Sequence, residues 1–302
     1  MKPLSLPDPF LTTIRSVFRE KGEHFLAGLP SSIEAAAQRW GLTDIEPVPD
    51  LSYNFVAFAR RGTEDVVLKL GVPNRELTGE ISALHFYAGQ GAARLLDSDA
   101  AQGMLLLERL KPGRLLAALE DDEHATEIAA GVMGQLWRPA PARGDFILLK
   151  DWFDGFKRLR SRFDGGTGPL PHLLVEQAER LVGDFFSEGC PNVLLHGDFH
   201  HYNILESGHG WVIIDPKGVI GPAEYEAGPL LMNPLGSVPG GDNPEVRTGR
   251  RIAILAERLG FERERLRLWA LAHAVLSAWW SLEDNEDWRY AIECAALFDR
   301  LR

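Results

Sequence analysis

The chain has few cysteines, few basic residues and no long apolar run. Its two cysteines, Cys190 and Cys294, have no C-x-x-C spacing, so we expect buried free thiols rather than a disulfide framework or a zinc knuckle. Lys and Arg number 32 against 43 Asp and Glu, a formal net charge of -11, which argues against nucleic acid or an anionic membrane as the main partner. No apolar run approaches the about 18 residues of a membrane span, and the N-terminus lacks the apolar segment of a signal peptide, so a cytoplasmic protein is expected.

The most informative stretch covers residues 193–218, VLLHGDFHHYNILESGHGWVIIDPKG. Three short apolar runs alternate there with polar turns that are too short to hold a helix, a pattern that predicts short buried strands. Loops after such strands hold side chains rigidly while leaving them open to a ligand. In this stretch the loop positions carry His196, Asp198, Asn203 and Asp215.

Asp198, Asn203 and Asp215 follow one another in the order of a phosphoryl-transfer site. In such a site one carboxylate accepts the proton of the attacking hydroxyl, and this catalytic role is expected for Asp198. An amide oxygen and a second carboxylate, here Asn203 and Asp215, hold the Mg²⁺ that bridges the phosphates of ATP. Because Mg²⁺ takes oxygen ligands and keeps several waters, these two protein ligands are sufficient.

The motifs HGDFHHYNIL and IDPKG resemble the HGDxxxxN and IDxxG motifs of aminoglycoside kinases, which are protein-kinase-like phosphotransferases. With LLLERLKPG upstream and EYEAGPLLMNP downstream, the chain resembles a narrower group, the aminoglycoside/hydroxyurea antibiotic-resistance kinases typified by streptomycin 6-kinases. This similarity covers residues 47–301. It implies an ATP- and Mg²⁺-dependent small-molecule kinase with an α+β, bilobal protein-kinase-like fold. Residues 1–109 would form a small antiparallel-sheet N-lobe preceded by helices, and residues 110–302 a mostly helical C-lobe with the catalytic loop and the acceptor site.

The N-terminal part of the chain shows first helical and then strand patterns. Apolar residues at helical spacing predict helices over residues 8–28 and 32–40, the second starting at a capping box of Ser31 and Glu34. Residues 48–70 alternate and are rich in aromatic and β-branched side chains, which predicts three antiparallel strands. Further along, the patterns predict a helix over 74–89, strands over 93–96 and 104–107, and helices over 115–118, 122–137, 145–163, 171–188, 244–259, 262–282 and 287–301.

Lys69 ends the third of these strands with apolar neighbours on both sides. In kinases a lysine in such a strand grips the α- and β-phosphates, and a carboxylate on the next helix holds it in place. The resemblance places that acid at Glu80, with Glu76 in reserve. The alternative is a solvated strand-edge lysine near an ordinary surface glutamate.

The phosphate-covering loop and the hinge have weaker signatures. The hairpin LSYNFV lacks a GxGxxG motif, so its phosphate contacts would come from Ser52, Asn54 and backbone amides of a tight turn. A strand runs into Glu108-Arg109-Leu110 and then Lys-Pro-Gly, which indicates a lobe boundary. By resemblance this is the hinge, where backbone groups of Glu108 and Leu110 would hydrogen-bond the purine. A simple exposed charge is the alternative for Glu108.

Several neighbours of the motif residues are candidates for supporting roles. His196 resembles the kinase histidine that braces the catalytic loop. Lys217 belongs to the family signature IDPKG and could contact substrate, product or phosphate, or pair with Asp215. His200 and His201, together with HGD, could instead form the zinc site of a metallohydrolase. Such sites need further ligands elsewhere, and the magnesium reading accounts for more of the residues.

The acceptor site has the thinnest support in the sequence. Trp279 and Trp280 precede two acids near the end of a C-lobe helix, where core tryptophans beside a solvated acidic turn are the alternative. Glu226 stands where related kinases often carry Asp. The acidic balance favours a cationic, polyhydroxylated acceptor over a neutral one. The candidate acceptor-binding acids are Glu224, Glu226, Glu283 and Asp284.

Besides the zinc metallohydrolase, three other functions compete with an aminoglycoside kinase. One is a kinase of a small metabolic polyol or amino alcohol, and another is a catalytically idle nucleotide-binding relative, although neither the base nor a metal ligand is missing here. A protein kinase is disfavoured because no Ala-Pro-Glu sequence closes the segment after Asp215.

Overall fold

The computed structural model describes residues 6–189, 191–240 and 242–301, so Cys190 lies outside the described residues. The chain divides into two compact units, Met1–Lys111 and Pro112–Arg302. Cys294, predicted to be a buried free thiol, is buried and unbridged. Within the described ranges, no helix combines the length and apolar character needed to cross a membrane.

The first unit opens with helix α1 (Asp8–Trp40), which is interrupted at Arg19 by a non-helical backbone with φ 51° and ψ -125°. The helical segment continues through Pro30, so the predicted break at residues 29–31 and its capping box are wrong. The break occurs earlier because the two halves of α1 pack closely. A Cβ at Gly22 would lie 2.3 Å from the carbonyl oxygen of Ile14, an approach that only glycine permits.

A five-stranded sheet and one helix, α2 (Arg75–Tyr87), complete this unit. All neighbouring strands of the sheet are antiparallel, as predicted. The predicted three strands over residues 48–70 are wrong in one respect, because the first strand lies earlier and includes Pro47 and Asp44, which are poor strand formers. In spatial order the strands are β1 (Leu42–Pro47), β2 (Phe55–Arg61), β3 (Glu64–Leu70), β5 (Met104–Glu108) and β4 (Leu95–Asp99).

The core of the first unit lies between α1 and one face of this sheet. Alternate residues are buried along β2 and along β3 up to Leu68, as expected for strands with one face against a core, and the last three residues of β3 are all buried. Asn74 caps α2 by accepting the N–H of Leu77 at 2.9 Å, which fixes where the helix after Lys69 begins. The buried residues that α1, β2 and β3 contribute to this core are Phe10, Ile14, Leu29, Ile33, Ala36, Trp40, Phe55, Ala57, Ala59, Val66, Leu68 and Leu70.

The second unit is mostly helical, as predicted, and is built around α9, which is buried along much of its length and packs against the helices on either side of it in the chain. The single helix predicted over residues 145–163 is wrong, because a short strand and two short helices occupy that range. The helices are α3 (Asp122–Leu136), α4 (Leu149–Phe153), α5 (Gly155–Arg162), α6 (His172–Ser187), α7 (Ala227–Leu231), α8 (Pro244–Leu259), α9 (Arg263–Glu283) and α10 (Arg289–Arg300).

Two small sheets in this unit hold the motif loops. In the first, the central β10 (Val219–Pro222) pairs antiparallel with β7 (Asn192–Leu195) and parallel with β6 (Ile147–Leu148). The second is the hairpin of β8 (Ile204–Ser207) and β9 (Gly210–Ile213). The HGDFHHYN segment joins β7 to β8, and the IDPKG segment joins β9 to β10. Both loops are therefore anchored at each end by paired strands.

Candidate active site

His196 is fully buried directly after β7 and joins the two motif loops. Its Nδ1 accepts the backbone N–H of Asp198 at 3.1 Å, which leaves the proton on Nε2, 2.8 Å from the carbonyl oxygen of Ile214. Burial lowers the pKa of His196 to about 4, so the ring is neutral at physiological pH and keeps this pattern of one donor and one acceptor. The imidazole therefore ties the start of the catalytic loop to the residue before Asp215.

Gly197 turns the chain between His196 and Asp198 with a φ of 88°. A Cβ at this position would lie 2.6 Å from Cγ2 of Val219 and 3.0 Å from Cη2 of Trp152. Both the backbone conformation and the space require glycine here.

Glu226 lies behind the same loop and is fully buried. One carboxylate oxygen accepts the N–H of His196 at 2.6 Å, and the other accepts the N–H of Gly197 at 2.9 Å. Burial raises the pKa of Glu226 to about 7, although the two backbone hydrogen bonds oppose that rise. The prediction that Glu226 binds the acceptor is therefore wrong. Both of its carboxylate oxygens accept backbone N–H groups of the loop, and the side chain positions that loop instead.

Asp198 follows with a side chain that is 45% exposed, in contrast to its buried neighbours. Partial burial would raise the pKa of its carboxyl, but the pKa is lowered overall by the hydrogen bond and charge of His200 and by the charge of Lys217. Nε2 of His200 lies 3.5 Å from Oδ1 of Asp198. A carboxylate this acidic stays ionised, so it accepts a hydrogen bond from a hydroxyl better than it removes the proton outright.

Asn203 ends a short 3₁₀ turn and points its amide nitrogen at the catalytic loop. Nδ2 donates to the carbonyl oxygen of Asp198 at 3.0 Å, which leaves Oδ1 as the amide atom suited to a cation. The carbonyl oxygen of Asn203 also accepts the N–H of Ile214 at 3.0 Å. The backbone of Ile214 is thus hydrogen-bonded to both His196 and Asn203, and the next residue is Asp215.

Asp215 has a φ of 56°, a left-handed conformation that few residues other than glycine adopt. Such backbone outliers persist only where the surrounding structure fixes them, and they concentrate at functional sites. Asp215 and Asn203 carry the kind of hard oxygen atoms that Mg²⁺ prefers, and their role as metal ligands stays a prediction. The zinc alternative needs several His, Cys or acidic ligands, and in the described part of the chain no three such side chains cluster around a common point.

Lys217 begins the return from this loop, and its N–H donates to the carbonyl oxygen of His196 at 2.7 Å. Its ammonium group is near enough to lower the pKa of Asp198. Lys217 therefore contributes positive charge beside the predicted base.

In the first unit, Lys69 and Glu80 form a buried ion pair. Nζ of Lys69 lies 2.7 and 2.9 Å from the two carboxylate oxygens of Glu80, and the residues are 2% and 7% exposed. The alternative of a solvated lysine at a strand edge is wrong, because β3 is the central strand of its sheet. Glu76, the reserve candidate, is exposed one turn earlier on α2.

The loop between β1 and β2 carries the two predicted phosphate-covering residues. Ser52 is exposed there, whereas the side chain of Asn54 packs against the chain just after β3. A Cβ at Gly71 would lie 2.2 Å from Oδ1 of Asn54. Asn54 therefore has a packing role in the structure, and the phosphate contact of Ser52 stays a prediction.

Glu108 ends β5 in contact with Arg94. Its carboxylate accepts the backbone N–H of Arg94 at 2.7 Å and Nε at 3.1 Å, and its own N–H donates to the Arg94 carbonyl oxygen at 3.0 Å. Glu108 is therefore more than a simple exposed charge. Because its N–H is engaged, a purine would have to be contacted through its carbonyl, and by Leu110, which is partly exposed.

Two of the other predicted acceptor-binding acids are engaged by arginines. Glu224 lies 2.7 Å from Nε of Arg265, and Glu283 takes both Nε and Nη2 of Arg158, at 2.8 and 2.9 Å. Asp284 is exposed at the end of α9. Sequence reasoning missed the arginine partners because they are 41 and 125 residues away from the acids.

Sequence reasoning also missed Trp152, which lies in α4 against Gly197. It falls in the range predicted as one long helix and has no motif beside it. Of the two tryptophans that were considered, Trp279 is 1% exposed and belongs to the core, whereas Trp280 is partly exposed.

The fold and the site together define a kinase-like phosphotransferase. An aminoglycoside phosphotransferase solved in ternary complex with ADP and hygromycin B has the same fold, with a TM-score of 0.62 at 16% identity over 88% of this chain and 97% of that chain. A sequence model of the aminoglycoside/hydroxyurea antibiotic resistance kinases matches residues 39–285, and the chain belongs to this family.

Characterised relatives agree in class. A streptomycin 6-kinase from Streptomyces glaucescens is 29% identical over 298 residues, covering 94% of this chain and 93% of the relative. A hydroxyurea phosphotransferase from Kitasatospora aureofaciens is 33% identical over 273 residues, covering 88% of this chain and 76% of the relative. The predicted family and bilobal α+β kinase-like fold are confirmed, and the protein is a small-molecule kinase.

Proposed function

We propose that the protein transfers the γ-phosphoryl group of ATP to a hydroxyl of streptomycin or a closely related aminoglycoside, with Mg²⁺ as cofactor. The observation that carries this proposal is the bonded network around Ile214. Through it, His196 and Asn203 hold the backbone of Asp198 next to the residue that precedes Asp215. The streptomycin 6-kinase supports the acceptor, because it matches this chain over nearly the full length of both.

In this reaction Asp198 accepts a hydrogen bond from the acceptor hydroxyl and orients it toward the γ-phosphorus. The transition state of phosphoryl transfer is loose, with little bonding between the hydroxyl oxygen and the phosphorus. The hydroxyl therefore needs little deprotonation before it attacks. A low pKa therefore suits Asp198 to orientation, and the proton moves to it late. The positive charge of Lys217 lies near this carboxylate and favours its ionised form, which can accept the hydrogen bond of the hydroxyl.

Asn203 and Asp215 would hold Mg²⁺, which when bound neutralises charge on the phosphates of the nucleotide. Lys69, kept in place by both oxygens of Glu80, would contact the α- and β-phosphates. The nucleotide-binding lobe would comprise residues 1–109, with Ser52 over the phosphates and the backbone of Glu108 and Leu110 at the purine. Residues 110–302 would carry the base, the metal ligands and the acceptor site.

Hydroxyurea is a second candidate acceptor, favoured by the 33% identity to the hydroxyurea phosphotransferase. Hydroxyurea is small and neutral, whereas streptomycin is large and carries guanidinium groups, so the two candidates make different demands on the acceptor site.

The proposal is tested by incubating the protein with Mg-ATP and, separately, with streptomycin, another aminoglycoside, hydroxyurea, a neutral sugar and an amino alcohol. The expected result is a mass gain of one phosphate on streptomycin that needs both ATP and Mg²⁺. A gain on hydroxyurea alone would replace the acceptor, and turnover of the sugar or the amino alcohol alone would favour a metabolic kinase. The absence of phosphate transfer to every acceptor would overturn the proposal.

A further inference from the structure

Two partly exposed tryptophans of the second unit take no part in the reaction described above. Trp152 on α4 and Trp280 in the last turn of α9 lie edge to face, with ring centroids 5.3 Å apart and planes at 86°. We propose that this pair, the tryptophan wall, binds the cationic group of the acceptor by cation–π attraction. The inference rests on the proposed function, because the cation belongs to the molecule whose hydroxyl Asp198 orients.

The wall stands next to the predicted base. Cη2 of Trp152 would lie 3.0 Å from a Cβ at Gly197, the residue that precedes Asp198. The side chain of Asp198 is 45% exposed, so an acceptor can reach it from solvent. An acceptor that places a hydroxyl on Asp198 therefore approaches the loop against which Trp152 packs.

A buried pair of side chains supports both rings from behind. Tyr225 lies 6.3 Å from Trp152 and His273 lies 6.3 Å from Trp280, measured between ring centroids. The hydroxyl of Tyr225 and Nδ1 of His273 are hydrogen-bonded at 2.9 Å. Rings fixed in this way lose little conformational entropy when a ligand binds.

The ring faces and the nearby Asp284 favour a cationic ligand group at Trp280 over a neutral one. Trp280 lies in the last turn of α9, where Nη1 of Arg162 donates to the carbonyl oxygen of Leu282 at 3.2 Å, so the partial negative charge of this helix end is already partly neutralised. Asp284, exposed directly after the helix, adds a full negative charge. The faces of tryptophan rings attract ammonium and guanidinium groups more strongly than those of other aromatic residues.

The neighbouring carboxylates are less suited to this task than the rings. Both oxygens of Glu283 are taken by Arg158, and Glu224 is paired with Arg265. An acid already paired with arginine offers an incoming cation little net attraction, because the two charges nearly cancel at the distance of a ligand. Recognition of the cation by the tryptophan rings would therefore replace the predicted recognition by Glu224 and Glu283.

The inference is tested with Trp280→Leu and Trp152→Leu, measuring KM for streptomycin and KM for ATP in the same preparations. Each substitution is expected to raise the KM for streptomycin by about tenfold or more while the KM for ATP stays within about twofold. Phe at either position should restore part of the loss, because it keeps an aromatic face. Trp288→Leu, at the start of α10, removes a partly exposed tryptophan elsewhere in the unit and should leave both constants unchanged.

A second comparison separates the rings from the acids. The double substitution Arg158→Gln with Glu283→Gln removes the ion pair without changing the net charge, and it should alter the KM for streptomycin by less than about threefold. If this double variant lost as much affinity as Trp280→Leu, the acids would be the recognition element and the wall inference would be wrong. It would also be wrong if both Trp→Leu variants kept the wild-type KM.

Failure of the proposed function has a different signature. If the wild-type protein phosphorylates no acceptor, calorimetric titration with streptomycin still measures binding directly. Binding that weakens about tenfold in Trp280→Leu but not in Trp288→Leu would then support the wall without the reaction. No binding to the wild-type protein would overturn it. If Trp152→Leu does not fold, because Trp152 packs directly against the catalytic loop, Trp280→Leu against Trp288→Leu carries the test alone.

Discussion

The backbone N–H of Asp198 donates to Nδ1 of His196 at 3.1 Å, so the residue that braces the loop and the residue that would do the chemistry are directly bonded. The same imidazole reaches the carbonyl oxygen of Ile214 at 2.8 Å. One neutral ring therefore fixes Asp198 relative to the loop of Asp215. This arrangement allows the roles of Asp198 and of its supports to be separated by substitution.

Asp198→Asn is expected to lower turnover by about 10²-fold or more while affinity for Mg-ATP changes by only about threefold. The amide keeps the size of the carboxylate, and the backbone contact to His196 does not depend on the side chain. Phosphate transfer to streptomycin measures the first quantity, and binding of a non-hydrolysable ATP analogue measures the second. Turnover close to wild type would show that Asp198 is not the base.

Glu226 gives a prediction about stability and pH. The pKa of its carboxyl is raised to about 7 in the folded chain, from an ordinary value of 4.5. A raised pKa means that the folded state binds the proton more tightly than the unfolded state. The stabilisation is therefore complete below about pH 4.5 and is lost as the pH rises through about 7.

Thermal unfolding of wild type and Glu226→Gln between pH 4.5 and 8 measures this effect. The difference in Tm between the two proteins should shift in favour of Glu226→Gln as the pH rises, because glutamine does not titrate. A difference that is constant across this range would contradict the assigned pKa. Glu226→Gln should also lower kcat more than it raises the KM for ATP, since it disturbs the two N–H groups that hold the catalytic loop.

The parts of the site that the sequence made predictable are those encoded locally. Asp198 and Asn203 are five residues apart in one loop, and the structure shows them within hydrogen-bond distance. The pairing of Lys69 with Glu80 followed from a strand and the next helix, 11 residues apart, and the structure shows it.

Contacts between distant segments were not predictable in the same way. Glu226 reaches the backbone of His196 across 30 residues, and a buried carboxylate that binds backbone N–H groups looks the same in a sequence as one that binds a ligand. Trp152 contacts Gly197 only because β6 and β10 pair, and β6 has two residues and no detectable strand pattern. Sheet pairing likewise overrode weak propensity in β1.

Substitutions of Lys69 and Glu80 are expected to affect stability and nucleotide binding separately. Because both side chains are buried, Lys69→Met leaves an uncompensated carboxylate and should destabilise the first unit by about 3 kcal/mol or more. The double variant Lys69→Met with Glu80→Leu should recover much of that stability but not the affinity for ATP. Chemical denaturation and ATP-analogue titration measure the two quantities, and recovery of ATP binding in the double variant would remove Lys69 from the phosphate site.

Gly197 and Gly165 provide a matched pair for the last prediction, since their φ angles are 88° and 86°. Alanine at either position would adopt a similarly unfavourable φ, at a cost of about 1 kcal/mol or somewhat more. At Gly165 the added Cβ meets nothing within 4 Å, whereas at Gly197 it meets Val219 at 2.6 Å and Trp152 at 3.0 Å.

Gly197→Ala should therefore shift the loop that carries Asp198 and lower kcat by about 10²-fold, because small misplacements of a reacting group are costly. Gly165→Ala should lose some stability and keep its kcat. Steady-state phosphate transfer and thermal unfolding on both variants measure these effects. Equal loss of kcat in the two proteins would mean that backbone strain alone, and not contact with Val219 and Trp152, accounts for the requirement for glycine before Asp198.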